Sequence, residues 1–157
     1  MPQPPASSLS VARRLARFVS GFSLDAAPPA VSAQGTLLAL DTLGSCLASS
    51  RQDFGRSVME AAGRLGGPPE SGVIGSKARI GAAAAALANG TLAHGLDFDD
   101  TREDAIVHTG CVAVTTALAV GEAVEASGRA ALEALIAGVE IKVDPAKLKE
   151  VLEKDGK

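Results

Sequence analysis

The run Ile80-Gly-Ala-Ala-Ala-Ala-Ala-Leu-Ala-Asn-Gly-Thr-Leu-Ala93 carries the strongest structural signal in the chain. Alanine gives up no side-chain entropy on entering a helix, so the run predicts one, and its small side chains let neighbouring helices approach closely. The whole composition follows the same logic. The 157 residues are 46% hydrophobic but only 3% aromatic, with no Trp or Tyr. A core built from Ala, Leu and Val favours packed helices over a strand sandwich, which draws on aromatic and β-branched residues. The expected class is therefore all-α, a helical bundle.

Upstream of this run, residues 1–8 form a Pro/Ser lead-in. Leu9, Ala12, Leu15, Ala16, Val19 and Phe22 then recur at helical spacing, predicting a helix from Leu9 to Gly21 with Ser8 or Ser10 as N-cap. Pro28 and Pro29 suit the first turn of a second helix. Its stretch Leu37 to Gly44 is apolar nearly all round and is expected to be deeply buried. A third helix, Phe54 to Leu65, stops at Gly66-Gly67-Pro68-Pro69, and Gly72 to Gly75 reads as an extended connector.

Downstream, polar and acidic residues from Asp97 to Asp104 mark a loop, and helices resume over Cys111 to Ala126 and Ala130 to Glu140. In the last of these Leu132, Leu135, Ile136 and Val139 should face inward. Before Ile141 the basic residues are nine Arg and one Lys, whereas from Lys142 onward there are five Lys and no Arg. The expected organisation is one helical domain over residues 9–141 and an appended Lys-rich short helix or tail over 142–157. In that tail Asp144 would cap, Pro145 would open the helix, and Leu148, Val151 and Leu152 would share a face.

A net charge of -3 without a basic run leaves no electrostatic footprint for nucleic acid or an anionic membrane. No apolar run approaches the roughly 20 residues that cross a bilayer. Arg13, Arg14 and Arg17, with no acid before Asp25, superficially resemble a transit peptide, but an amphipathic first helix explains the same residues and is the preferred reading. The expected location is cytoplasmic. Cys46 and Cys111 lack CxxC spacing and read as two reduced, buried thiols.

Both histidines of the chain lie in Asn89-Gly-Thr-Leu-Ala-His94-Gly-Leu-Asp97-Phe-Asp99-Asp100-Thr101 and the following Arg102 to Gly110, which contains His108. An acidic loop can serve solubility alone, but here Asn, His, Asp and Thr converge between two apolar helices. Asp97-x-Asp99-x-Thr101 has the spacing of a haloacid dehalogenase nucleophile, yet that template needs a preceding buried strand where this chain is helical. Asp99-Asp100-Thr-Arg-Glu103 imitates a magnesium-diphosphate site of the isoprenoid-synthase type, but no second acidic run matches it. His94, Asp97, Asp100 and His108 offer acceptable metal ligands at a spacing that fits no common zinc pattern.

The string Ala-Leu-Ala-Asn-Gly-Thr-Leu-Ala-His-Gly-Leu-Asp-Phe-Asp-Asp-Thr, with His108 and Gly110 shortly after, closely resembles the signature of the MmgE/PrpD family. Leu15-Ala-Arg-Phe-Val-Ser, Leu40-Asp-Thr-Leu-Gly, Val73-Ile-Gly and Ala126-Ser-Gly-Arg also look like it, so the resemblance covers roughly Leu9 to Ile141. That family contains 2-methylcitrate dehydratases, cis-aconitate decarboxylases and an iminodisuccinate epimerase. The resemblance implies the first part of a large helical domain, with the inserted α/β lid absent. It implies a partial lyase-type enzyme acting on a small di- or tricarboxylate, or alternatively an epimerase of an amino-dicarboxylate, without metal or organic cofactor. In two places the sequence departs from the family: Thr109 stands where proline commonly follows the loop histidine, and residues 102–107 are a variable stretch.

Dehydration of such an acid needs a base to remove a proton beside a carboxylate, an acid for the leaving hydroxyl, and groups that hold the carboxylates. His108 is the acid/base candidate, because an imidazole titrates near neutrality. Asp97 matches the family's active-site aspartate and could orient or charge-stabilise a histidine. Thr101 could donate to a substrate carboxylate; four residues separate it from Asp97, so the two share a face if the helix persists through this turn. His94, Asn89 and Asp100 are candidate substrate-binding residues, with capping or core hydrogen bonding the simpler task for each. Association of unpartnered apolar helix faces into a homo-oligomer, a dimer first, is the expectation from a different class: an assembly module without turnover.

Overall fold

A computed structural model describes residues 10–103 and 106–143. It is mostly helical: α1 (Val11–Gly21), α2 (Pro29–Ser49), α3 (Asp53–Leu65), β1 (Ser71–Gly72), β2 (Arg79–Ile80), α4 (Ala82–His94), α5 (Gly110–Ala123) and α6 (Gly128–Val143). The expected start at Leu9, the Ser8 cap, Asp104 and the helix of the Lys-rich tail lie outside the described residues. Ser10 occupies the N-cap position of α1 without a side-chain cap bond, and Pro28 and Pro29 open α2 as their fixed φ suits.

The alanine-rich helix α4 is the centre, packed against α5 and flanked by α2 and α3, while α6 covers α5 and α2 and α1 rests on α6. Close approach is possible because Gly90 faces α5. A Cβ there would sit 3.2 Å from the Cys111 carbonyl oxygen and 3.4 Å from Thr115 Oγ1. Apolar residues form three adjoining clusters: Ala62, Val73, Ile80, Ala85, Ala88 and Ala119; then Cys46, Leu92, Ala93 and Cys111; then Val114, Leu135 and Ile136. Burial of these modest side chains, at about 25 cal/mol per Å² of apolar surface, is the main stabilising contribution.

The connector before α4 is a small antiparallel hairpin, Ser71 opposite Ile80 and Gly72 opposite Arg79. It turns at Gly75, whose φ of +82° suits glycine. Runs of two residues carry no periodic signal, so pairing was not legible there. Asn89, buried inside α4, secures the hairpin: its Oδ1 accepts from the Ile74 amide at 2.9 Å and its Nδ2 donates to the Gly72 carbonyl at 3.0 Å. The Gly72 amide donates to Glu122 of α5, and Ser71 donates to the Ala119 carbonyl.

One expectation is corrected. The stretch Leu37 to Gly44 is not deeply buried, for Leu37 and Leu40 are 58% and 67% exposed, and Leu47 follows them outward. The buried side of α2 consists instead of Gly35, Thr42, Ser45, Cys46 and Ser49. Small residues face α4 and α6 because close packing selects size over hydrophobicity. A Cβ on Gly35 would lie 2.7 Å from the side chain of Ile136.

Cys46 and Cys111 are both buried and free. Burial pushes the Cys46 thiol up from 9.0 to about 12, and the neighbouring Cys111 adds to the rise. The folded state thus keeps this proton after the unfolded chain has lost it. Stability from this group is intact below pH 9.0 and falls as pH climbs toward about 12. In urea unfolding about one pH unit above the ordinary thiol value, the loss should be about 1.4 kcal/mol, and Cys46→Ala should lack this increment.

Candidate active site

Helix α4 stops at His94, and the Asp97 amide returns to the His94 carbonyl at 2.9 Å. Asp97 itself adopts φ 57°, a left-handed conformation that Asp tolerates better than most residues. The helix therefore does not persist through this turn, and the expected shared helical face of Asp97 and Thr101 does not form. The reversal instead sends Asp99 back beneath the end of α4. Farther on, Arg102 and Val107 pair across the loop, with amide-to-carbonyl distances of 2.9 and 3.4 Å, and this closure returns His108 to Thr101.

The centre of the cluster is Asp99, whose side chain is wholly buried. His94 Nδ1 lies 3.1 and 3.2 Å from its two carboxylate oxygens, and His108 Nδ1 lies 3.4 Å from Oδ1. The imidazole rings are 4.6 Å apart and inclined at 58°. Thr101 Oγ1 sits 3.4 Å from His108 Nδ1, so hydroxyl and carboxylate meet the same ring nitrogen. Asp97 stands at the rim with its side chain 80% exposed, 3.8 Å from His108 Nε2. His108 and Asp97 are thus close, but the carboxylate that joins the two histidines is Asp99, which is not among the residues expected from the sequence to carry the chemistry.

Asp100 points the other way. It accepts from the Thr109 amide at 3.2 Å, the Thr109 hydroxyl at 2.6 Å and the Gly110 amide at 2.7 Å, capping α5 from ten residues upstream. A carboxylate at a helix N-terminus is favoured both by the free amides and by the helix dipole. Thr109, where the family commonly has proline, is buried and contributes the hydroxyl of this cap. Sequence reasoning missed that role, which only a contact across the loop reveals. Asn89 also turns to backbone partners, so neither it nor Asp100 joins the histidine cluster.

One nitrogen from each of His94 and His108 and one oxygen from each of Asp97 and Asp99 lie within 4.8 Å of one another, the combination among the described residues that could hold a metal ion. A separate apolar trough of about 500 Å³ runs between α2 and α6, with Asp100 and Thr109 at one end. No helix among the described residues is long and apolar enough to cross a membrane.

A helical domain whose polar residues gather where its two central helices meet is the class that fold and cluster define. Residues 13–153 match the family model described as the MmgE/PrpD N-terminal domain, and the chain belongs to the MmgE/PrpD family. The match continues past Ile141 into the Lys-rich segment. No curated protein and no solved structure matches the chain.

Proposed function

We propose that this domain provides the acid/base groups of a lyase that acts on a small di- or tricarboxylate, through dehydration of a 2-methylcitrate-like hydroxy acid or a related decarboxylation. The observation that carries this reading is the buried Asp99 carboxylate shared by two imidazoles. A carboxylate on Nδ1 fixes the tautomer and stabilises the imidazolium formed when the outer nitrogen takes a proton.

In the proposed step His108 Nε2 removes the proton beside a substrate carboxylate. The electron pair of that C–H bond becomes the new double bond as the C–O bond breaks. His94, its side chain half exposed and its Nδ1 held by Asp99, leaves Nε2 for the substrate and gives the departing hydroxyl its proton, releasing water. Thr101 donates to a substrate carboxylate, and Asp97 steadies the charged form of His108 from the rim. Asn89 and Asp100 keep the hairpin and α5 in place around the cluster.

The test is to offer the purified chain citrate, 2-methylcitrate and cis-aconitate while following the ultraviolet absorbance of the conjugated unsaturated acid. Formation or loss of that absorbance, together with saturable binding, is the expected result. Neither turnover nor binding at millimolar acid would overturn the reading. The exposed stripe of Leu37, Leu40 and Leu47 favours a second reading, self-association into a dimer that acts in assembly. A dimeric mass in solution that Leu40→Asp converts to a monomer, without any turnover, would favour that alternative.

A further inference from the structure

We propose that His94, Asp97, Asp99 and His108 form a binding site for one divalent transition-metal ion of the zinc type. The inference goes beyond the lyase reading, because it concerns the same side chains in a different use. Four ligands at metal distances of about 2.0–2.1 Å in a tetrahedron lie about 3.3 Å from one another. Here His94 Nδ1 and Asp99 Oδ1 are 3.1 Å apart and His108 Nδ1 and Asp99 Oδ1 3.4 Å, with the Asp97 carboxylate beside the same His108 ring. One atom from each of the four falls within 4.8 Å of the others, so rotamer-scale adjustment closes the set.

Charge selects a cation. With neutral imidazoles the two carboxylates give the cluster two negative charges, which a divalent ion cancels. Donor type selects the ion: two nitrogens and two oxygens suit zinc, cobalt or nickel, whereas magnesium and calcium prefer oxygen alone. Asp99 is a preorganised ligand, for its side chain is wholly buried and aimed at both rings. Asp100, which the sequence offers equally well as a ligand, is committed to the α5 cap. An ion on Nδ1 of both imidazoles leaves each Nε2 carrying its proton, without the lone pair that His108 needs as a base, so the metal-loaded form is the inactive form of the lyase.

Chelator-stripped chain titrated with Zn²⁺ against a chromophoric chelator should bind one ion with micromolar or tighter affinity, and millimolar Mg²⁺ should not compete. Co²⁺ should give the intense visible absorption of a tetrahedral site. Asp99→Asn and His94→Gln should each weaken Zn²⁺ binding by at least about 10-fold, and the exposed Glu60→Gln should not. His94 is half exposed, so its substitution leaves the core untouched, and circular dichroism verifies that both variants are folded. Three results would overturn the site: no saturable binding, affinity unchanged in the folded His94→Gln chain, or binding that disappears only when Cys46 and Cys111 are alkylated. These readouts are independent of turnover, so the site and the lyase reading stand or fall separately.

Discussion

His108→Gln should lower turnover of a hydroxy tricarboxylate by about 10²- to 10⁴-fold, the range that a positioned general base contributes. Glutamine fills much of the imidazole volume and can still donate to Asp99 and Thr101, but it cannot take a proton from carbon. The loss should therefore fall on kcat, with KM changed little, because the groups that hold carboxylates remain. Asp99→Asn should fall in the same direction, since an amide can present either a donor or an acceptor to the rings and no longer fixes their tautomers. Steady-state rates across pH provide the check. Turnover retained in His108→Gln would remove the histidine from the chemistry.

Asp100→Ala should be the most destabilising change in the loop. It deletes three hydrogen bonds at the start of α5, two of them to backbone amides that then have no partner, and strands the hydroxyl of the buried Thr109. An N-cap carboxylate contributes up to about 2 kcal/mol, and an orphaned buried donor costs about 1 kcal/mol more. The sum, about 3 kcal/mol, corresponds to a fall in Tm of about 6–12 °C for a chain of this size. Asp100→Asn keeps an acceptor and should lose less than half as much. Thermal unfolding followed by circular dichroism measures both, and an unchanged Tm in Asp100→Ala would mean that the cap contributes nothing.

The helices were legible because their signal is local. Alanine content and apolar spacing determine whether α4, α5 and α6 exist, and their ends fell within a few residues of the glycines, prolines and polar runs that mark them. Which side of α2 faces inward was not legible. The stretch Leu37 to Gly44 is apolar nearly all round, so its sequence marks neither side as the inner one, and the tight contact with α6 puts Gly35 inside while Leu37 and Leu40 stay out.

The candidate site divides along the same line. Composition alone located it between Asn89 and Gly110. The roles of its three aspartates depend on a single backbone reversal at Asp97, whose φ of 57° ends the helical periodicity. The partners of Asp100 are nine and ten residues away, and those of Asn89 are fifteen and seventeen. Neither spacing follows from any helical or strand repeat.

The pairing of Arg102 with Val107 makes a neck in the loop just ahead of His108. Because the backbone is tied there, segments of different length can be inserted above the neck without shifting the residues below it. A change in loop length there should leave the two imidazole rings 4.6 Å apart, as they stand here.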